Sequence, residues 1–432
     1  RQGRREKTKT KLMRDVKMYF CIDLKTFYAS VECVERNLDP FSTNLVVADP
    51  SRGKGAICLA ISPALKNMGI RNRCRLYEIP DGVEYIIAKP RMKKYIEYSA
   101  NVYAVYLKYI SKDDIHPYSI DEMFLDVTKY LKLYKTSANN LAKMILDDVL
   151  KTTGITATCG IGPNMFLAKV ALDITAKHIT GNIAFLDEKK FRATLGDHRP
   201  LTDFWHIGKG TQNRLSKLGI HTLNDVLTAD ENLLYKEFGV NAKILIDHAH
   251  GIEPTTIADI KKYEPRSTSL SLSQVLFEDY DYEKTKIVLT EMVDTLCLQL
   301  VEQNFVCSSI GLNIHYSKES IPSTGGSKKL KMRTNAFSIL NGEILELFEK
   351  TTNKNAPIRK LGVTFGELLD ESYEYVDIFT NRASIEKEKE VAKTVNEIKH
   401  KFGKNAILRG TSLKEGATQK IRNKLIGGHN GE

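Results

Sequence analysis

Three carboxylates stand where short strands end. The run "YSIDEMFLDVT" (residues 118–128) puts Asp121 and Glu122 side by side in a segment that otherwise reads as apolar or β-branched strand. Far upstream, "MYFCIDL" (18–24) carries Asp23 near the end of another apolar strand. Burying such a charge without a partner costs several kcal/mol or shifts its pKa until the charge is gone. Each acid is therefore a wet strand-end or turn residue, or the three meet around divalent cations. Mg²⁺ takes oxygen ligands in near-octahedral geometry and shares carboxylates with substrate phosphates. Two such ions roughly 4 Å apart activate an attacking oxygen and stabilise a leaving one. That arrangement implies phosphoryl or nucleotidyl transfer, and spacing alone leaves both answers open.

The elements around these acids alternate in type. After the 18–24 strand comes a helix over 26–37, with Phe27, Val31 and Val34 on one face. "NLVVAD", "GAICLAI" and "VEYIIAK" read as strands, and a helix near 63–69 stops at Gly69. A long helix spans 91–111, and "IHPYSI" with "EMFLDVT" makes a tightly turned strand pair. A helix over 137–151 leads into the strand "GITATCGIG", and a further helix starts at Pro163, a favoured first helical position. The order predicts an α+β domain to about 185, with 40–90 as an insertion. Residues 185–253 read as short helices holding "FWHIGKGTQNRLSKLGIHTLNDVL". Its Gly208 and Gly210 stand as in a helix-hairpin-helix, whose backbone amides meet a DNA phosphate, or else in an ordinary turn.

Residues 254–263 read as a linker. Strictly alternating strands then enclose two helices, 283–303 and 342–352, in the order βαββαβ. In the third of these strands Lys329, Lys331 and Arg333 share one face, with Leu330 and Met332 on the other. Such a row suits a nucleic-acid backbone, or protects an edge strand.

The 432 residues are too many for one ordinary core, and the 42% hydrophobic content is that of a soluble globular protein. No apolar run approaches the roughly 18 residues a membrane helix needs. The chain opens on Arg1 without Met, and its basic start does not read as a signal peptide. Seven scattered cysteines with no CxxC point to a reducing cytoplasm, away from a disulfide framework or zinc site. The net charge of +11 gathers at the ends. Residues 1–17 hold eight basic and two acidic side chains, and 381–432 hold twelve and six. A polyanionic partner or solvated tails would each account for it.

"FCIDLKTFYASVE" (20–32) together with "YSIDEMFLDVT" resembles the paired catalytic motifs of the Y-family, UmuC/DinB-type translesion DNA polymerases of bacteria. "TCGIGPNMFLAKVALDITAK" (158–177) is similar to that family's third block. The resemblance covers roughly residues 18–380. It implies an α+β right-hand polymerase: a palm of 18–26 and 92–184, small fingers of 27–91, a helical thumb of 185–253 and a βαββαβ little finger of 264–372. A basic segment, 1–17, precedes these, and a tail, 373–432, follows.

By resemblance, Asp23, Asp121, Glu122 and the carbonyl of Leu24 hold two Mg²⁺ ions, for which Mn²⁺ can substitute. Tyr28 is the steric gate against a 2′-hydroxyl, Phe27 lines the triphosphate region through its amide, and Lys177 reaches the triphosphate. The family's fingers carry a Tyr and an Arg on the triphosphate; Ser62 and Lys66 stand in their places. Lys cannot form Arg's bidentate fork. Ser119 orients the acidic turn, and Asp126 is structural. "YEYVDIFT" resembles clamp-binding peptides, with Tyr375, Ile378 and Phe379 as contacts. The implied activity is low-fidelity, template-directed DNA synthesis past damage, in an SOS-type response. Its partners would be primer-template DNA, deoxynucleotides, a sliding clamp and a recombinase or other SOS-type factor, with no membrane. A non-catalytic DNA- and clamp-binding repair factor on the same fold is the competing reading.

Overall fold

The run YFCIDL forms β1 (Tyr19–Leu24), with every residue but Asp23 buried. Such a strand must lie inside a sheet. In the computed structural model, which describes residues 17–264, 269–318 and 320–431, the chain divides into two units, 1–264 and 265–432. The basic segment 1–17 lies outside the described residues but for Lys17.

In the first unit β1 is followed by the helix Phe27–Val34 and then by the expected insertion. The insertion has its own sheet of β2 (Leu45–Val47), β3 (Ala60–Ile61) and β4 (Ile86–Ala88), in the order β3-β2-β4. Val46, Ile61, Leu65, Ile70 and Cys74 make its small core. The main sheet adds β5 (Ile115–Pro117), β6 (Glu122–Asp126), β7 (Ala157–Gly162) and β8 (Ile183–Phe185), in the order β5-β6-β1-β7-β8. Pairing is antiparallel except between β7 and β8.

The two faces of β1 do different things. Phe20 and Ile22 are fully buried on one side. Tyr19 and Cys21, with Phe124 of β6, pack against the segment Met165–Ala176 on the other. Asp23 continues that second row at period two. The helix Met165–Val170 sits against β7 at backbone distance. A Cβ on Gly160 would lie 2.0 Å from the Ala168 carbonyl oxygen, and one on Gly162 would lie 2.6 Å from the Ala168 nitrogen. Asn164 caps this helix, its side chain accepting from the Leu167 N–H at 2.8 Å. Pro163 thus precedes the cap and does not open the helix. The helix then widens into a π-helical turn, Ala171–Thr175.

Five short helices follow from Glu188 to Ala249, sharing a core with Met165–Ala176 through Leu215, Leu223, Leu234 and Leu245. The stretch 254–263 departs from the linker expected there. It contains the helix Ile257–Lys262, opened by a Thr256/Asp259 capping box, with Ile257 2% exposed.

The second unit has the βαββαβ order: β9 (Ser269–Tyr280), the helix Tyr282–Glu302, β10 (Phe305–Tyr316), β11 (Thr324–Thr334), the helix Phe337–Thr351 and β12 (Ile358–Gly366). Its sheet runs β11-β10-β12-β9, antiparallel throughout. The tail is part of this unit, a correction to its separate status. The helix Arg382–Phe402 and the stretch after it return onto Tyr282–Glu302. Glu291, 1% exposed, accepts through one carboxylate oxygen from the Thr418 N–H (2.8 Å), the Gln419 N–H (3.0 Å) and the Thr418 hydroxyl (3.2 Å). Arg409 pairs with Asp294, and His400 lies 2.6 Å from Glu302. Among the described residues no helix is long and apolar enough to cross a membrane. All seven cysteines are unbridged and buried.

Candidate active site

Asp23 lies opposite Glu122 across β1–β6 and opposite Thr158 across β1–β7. Directly paired residues project to the same side of a sheet, so both carboxylates stand together at one sheet end. Asp121 is fixed in the adjoining turn. Its carbonyl accepts from the Leu24 N–H (3.0 Å), and its carboxylate accepts from the Ser119 hydroxyl (2.6 Å). Leu24 itself is buried and pairs with Ala157. Asp126 lies at the far end of β6, opposite Tyr19, where its carboxylate accepts from the Thr128 N–H. It takes no part in the cluster.

Two lysines press against the acids. Lys177 lies 3.4 Å from Asp23 and 2.8 Å from Asp173. Lys169, 8% exposed, lies 2.6 Å from Glu122 and 2.8 Å from Asp173. The second oxygen of Glu122 accepts from the Cys21 thiol at 3.3 Å. Burial pushes that thiol's pKa up, with Glu122 adding to the effect, so it stays a donor. Lys169 and Asp173 were not among the expected site residues. Their signal is the spacing 169, 173, 177, one helix face at i, i+4, i+8.

Burial, with the like charges of Asp121 and Glu122, pushes the Asp23 carboxyl up to about 6 in spite of Lys177 and Lys169. Burial would raise Asp173 too, but Lys177 and Lys169 hold it below the usual carboxylate range. The oxygen donors of Asp23, Asp121 and Glu122 are of the kind a hard divalent cation takes. Among the described residues no three acidic, His or Cys side chains converge into a closed metal cage. In this arrangement the lysines supply the positive charge.

The gate candidate is built on a strained turn. Thr26, with φ 46°, occupies the left-handed region, which is rare for a β-branched residue and costs on the order of 1–3 kcal/mol. It turns the chain from β1 into the helix Phe27–Val34. Tyr28 stacks on Tyr95 with centroids 4.3 Å apart and planes at 16°. Tyr95 donates its hydroxyl to the fully buried Glu32 at 2.8 Å, and Arg91 grips the same carboxylate at 3.0 and 2.9 Å. Burial and the Asp121 charge raise the Tyr28 phenol, against Arg73. Phe27 is 3% exposed and packs on Tyr95 as a core side chain.

Ser62 is corrected. It is fully buried, and its hydroxyl accepts from the Leu45 N–H (3.1 Å) and caps the helix Pro63–Asn67. That side chain serves the insertion's interior and is not free to meet a ligand. Lys66 lies on the exposed side of the same helix. The protein mass around its ammonium lowers its pKa, and the charges of Asp23 and Lys177 reach it.

Gly208 precedes the helix Lys209–Lys217 and Gly210 lies in its first turn, with no side-chain cap. A Cβ at either glycine would meet nothing, so the amide end is open. In the second unit Lys329, Lys331 and Arg333 are exposed along β11, the outer strand of its sheet. Lys329 pairs with Glu367 at 3.0 Å. Tyr375 exchanges backbone hydrogen bonds with Arg333 (2.8 and 2.9 Å), so the expected docking peptide is a pinned loop. Ile378 and Phe379, at its tip, are 92% and 91% exposed.

A mixed sheet with acids at one end, an inserted small domain, a helical domain and a βαββαβ unit together define the right-hand architecture of the Y-family DNA polymerases. A solved Y-family DNA polymerase chimera of Dbh and Dpo4 shares the fold at a TM-score of 0.61 and 20% identity, covering 82% of this chain and 99% of that one. The chain belongs to the impB/mucB/samB family: the family model matches residues 22–173 and its C-terminal domain matches 267–377. It is 32% identical over 418 residues to a putative UV-damage repair protein UvrX of Bacillus subtilis, covering 96% of this chain and 97% of that protein. It is 29% identical to DNA polymerase IV 2 of the same organism, over 96% and 100%.

Proposed function

We propose that the chain is a template-directed DNA polymerase of low fidelity that copies past damage, with 18–26 and 92–184 as palm, 27–91 as fingers and 185–253 as thumb. The reading rests on the pairing of Asp23 with Glu122 at the sheet end, beside Asp121 and Lys177. Asp23, Asp121, Glu122 and the Leu24 carbonyl would hold two divalent cations, which lower the barrier to attack of a primer 3′-hydroxyl on the α-phosphate of a deoxynucleotide and to loss of pyrophosphate. Lys177 and Lys66 stand where the triphosphate charge would fall, and Tyr28 leaves no room for a 2′-hydroxyl. The amide end at Gly208 and Gly210 and the row Lys329, Lys331 and Arg333 bind DNA backbone. Ile378 and Phe379 supply an apolar tip for a sliding clamp; the setting is an SOS-type response in which a recombinase or similar factor takes part.

Primer extension with Mg²⁺ and deoxynucleotides tests the reading. Wild type extends, and Asp121→Ala/Glu122→Ala does not. A wild type that binds primer-template yet adds no nucleotide overturns it. The competing reading is a non-catalytic DNA- and clamp-binding repair factor on the same fold, with which the likeness to a putative UV-damage repair protein is also consistent. The same assay separates the two.

A further inference from the structure

Glu122, Lys169, Asp173, Lys177 and Asp23 form one chain of alternating charge. Its links are 2.6, 2.8, 2.8 and 3.4 Å, and its two ends, Glu122 and Asp23, are paired across β1–β6. We propose that this chain is a counter-charge relay: Lys169 and Lys177 hold Glu122 and Asp23 in the metal-free protein, and both lysines pass to Asp173 when those carboxylates turn to a divalent cation. The inference rests on the reading of Asp23 and Glu122 as metal ligands.

Three features make Asp173 the receiver. It already takes one lysine on each carboxylate oxygen, Lys177 on one and Lys169 on the other. Lys169 is too buried to trade Glu122 for water, and a buried ammonium needs an anion. Of the other groups around it, the Cys21 thiol is turned to Glu122, to which it donates at 3.3 Å, and Tyr118 offers a ring face, at 5.9 Å. Asp173 is therefore the anion left to Lys169. The helical segment Met165–Thr175, which carries Lys169 and Asp173, is also seated directly on β7 through Gly160 and Gly162, so Lys169 cannot retreat with it. Lys169 and Asp173 are thus positioning residues, acting through the ligand carboxylates.

Thermal midpoints, measured in chelator and in saturating Mn²⁺ without DNA or nucleotide, test the relay. Lys169→Met should melt several degrees below wild type in chelator, and Mn²⁺ should remove most of that deficit. A fixed structural ion pair would give the same deficit in both conditions, and that result, or no deficit in either, overturns the proposal. Asp173→Asn leaves the lysines nowhere to go, so calorimetry should show Mn²⁺ binding weakened by about tenfold. Unchanged affinity in a folded Asp173→Asn protein overturns the relay, and this variant decides if Lys169→Met does not fold. A wild type that neither binds Mn²⁺ nor shifts its midpoint removes the ligand reading as well. A wild type that binds Mn²⁺, with variants failing as above, removes the relay alone.

Discussion

At Gly160 a methyl group would lie 2.0 Å from the Ala168 carbonyl oxygen and 2.3 Å from the Leu172 nitrogen, both backbone atoms. Gly160→Ala must push the relay helix off β7. Overpacking of this kind costs about 1–3 kcal/mol or more, to be read in urea unfolding. Primer extension should fall with it, since Lys169 rides on that helix and Lys177 on the turn that follows it; wild-type stability would show that the seat is looser than described. Tyr28→Ala should raise ribonucleotide incorporation relative to deoxynucleotide on the order of tenfold or more, and an unchanged ratio would remove the gate assignment. The acids were legible because Asp23, Asp121 and Glu122 interrupt otherwise apolar strands. Lys169 was not, because it sits in the apolar run "MFLAKVAL" and shows its role only when helical spacing joins it to Asp173. Ser62 misled for the opposite reason: a Ser before Pro is as good a helix cap as a ligand contact, and burial chose the cap.

Among the elements, the helix Asn241–Ala249 is tied to the relay helix by a buried stack. His248 lies over Phe166 with centroids 4.1 Å apart, and Glu253 receives His248 at 2.9 Å. Burial would raise the Glu253 carboxyl, but hydrogen bonds from His248 and Thr255 outweigh it and bring it to about 2, from an ordinary 4.5. A depressed folded-state pKa stabilises fully above pH 4.5 and is lost as pH falls through 2. Glu253→Gln should therefore be up to about 3 kcal/mol less stable than wild type at neutral pH. That gap should close between pH 4.5 and 2, and a gap constant over that range would argue against the pair. Most elements were legible from period and punctuation, β9 to β12 most clearly, since strict alternation marks a sheet covered on one face. "GAICLAI" yielded only the two residues of β3, because an apolar run does not say which part of it pairs. The linker was misread because Thr256 and Asp259 make a capping box within a polar stretch.

Across the whole chain, the contacts divide into two units, and the second includes its tail. The helix Tyr282–Glu302 buries Leu289, Met292 and Leu296 against the sheet, and also buries Glu291, Asp294, Leu298 and Val301. A helix buried this widely needs cover on more than one side. Deleting 382–432 should uncover it, leave Glu291 without its three donors and cost at least 3 kcal/mol or so in the second unit alone. Limited proteolysis should then degrade 265–381 while sparing the first unit; a resistant fragment would show that the tail is dispensable. The tail's role was hidden because "IEKEKEVAKTVNEIKHKF" is so charged that it reads as a solvated helix.

The Glu291 cradle also sets an order in time. Its donors, Thr418 and Gln419, lie 127 and 128 positions later in the chain. On a ribosome, where domains fold as they emerge, the helix that carries Glu291 is in solution long before its partner has been made. Glu291 can therefore be satisfied only after residue 419 is synthesised. A chain ended before residue 418 would leave Glu291 without those donors.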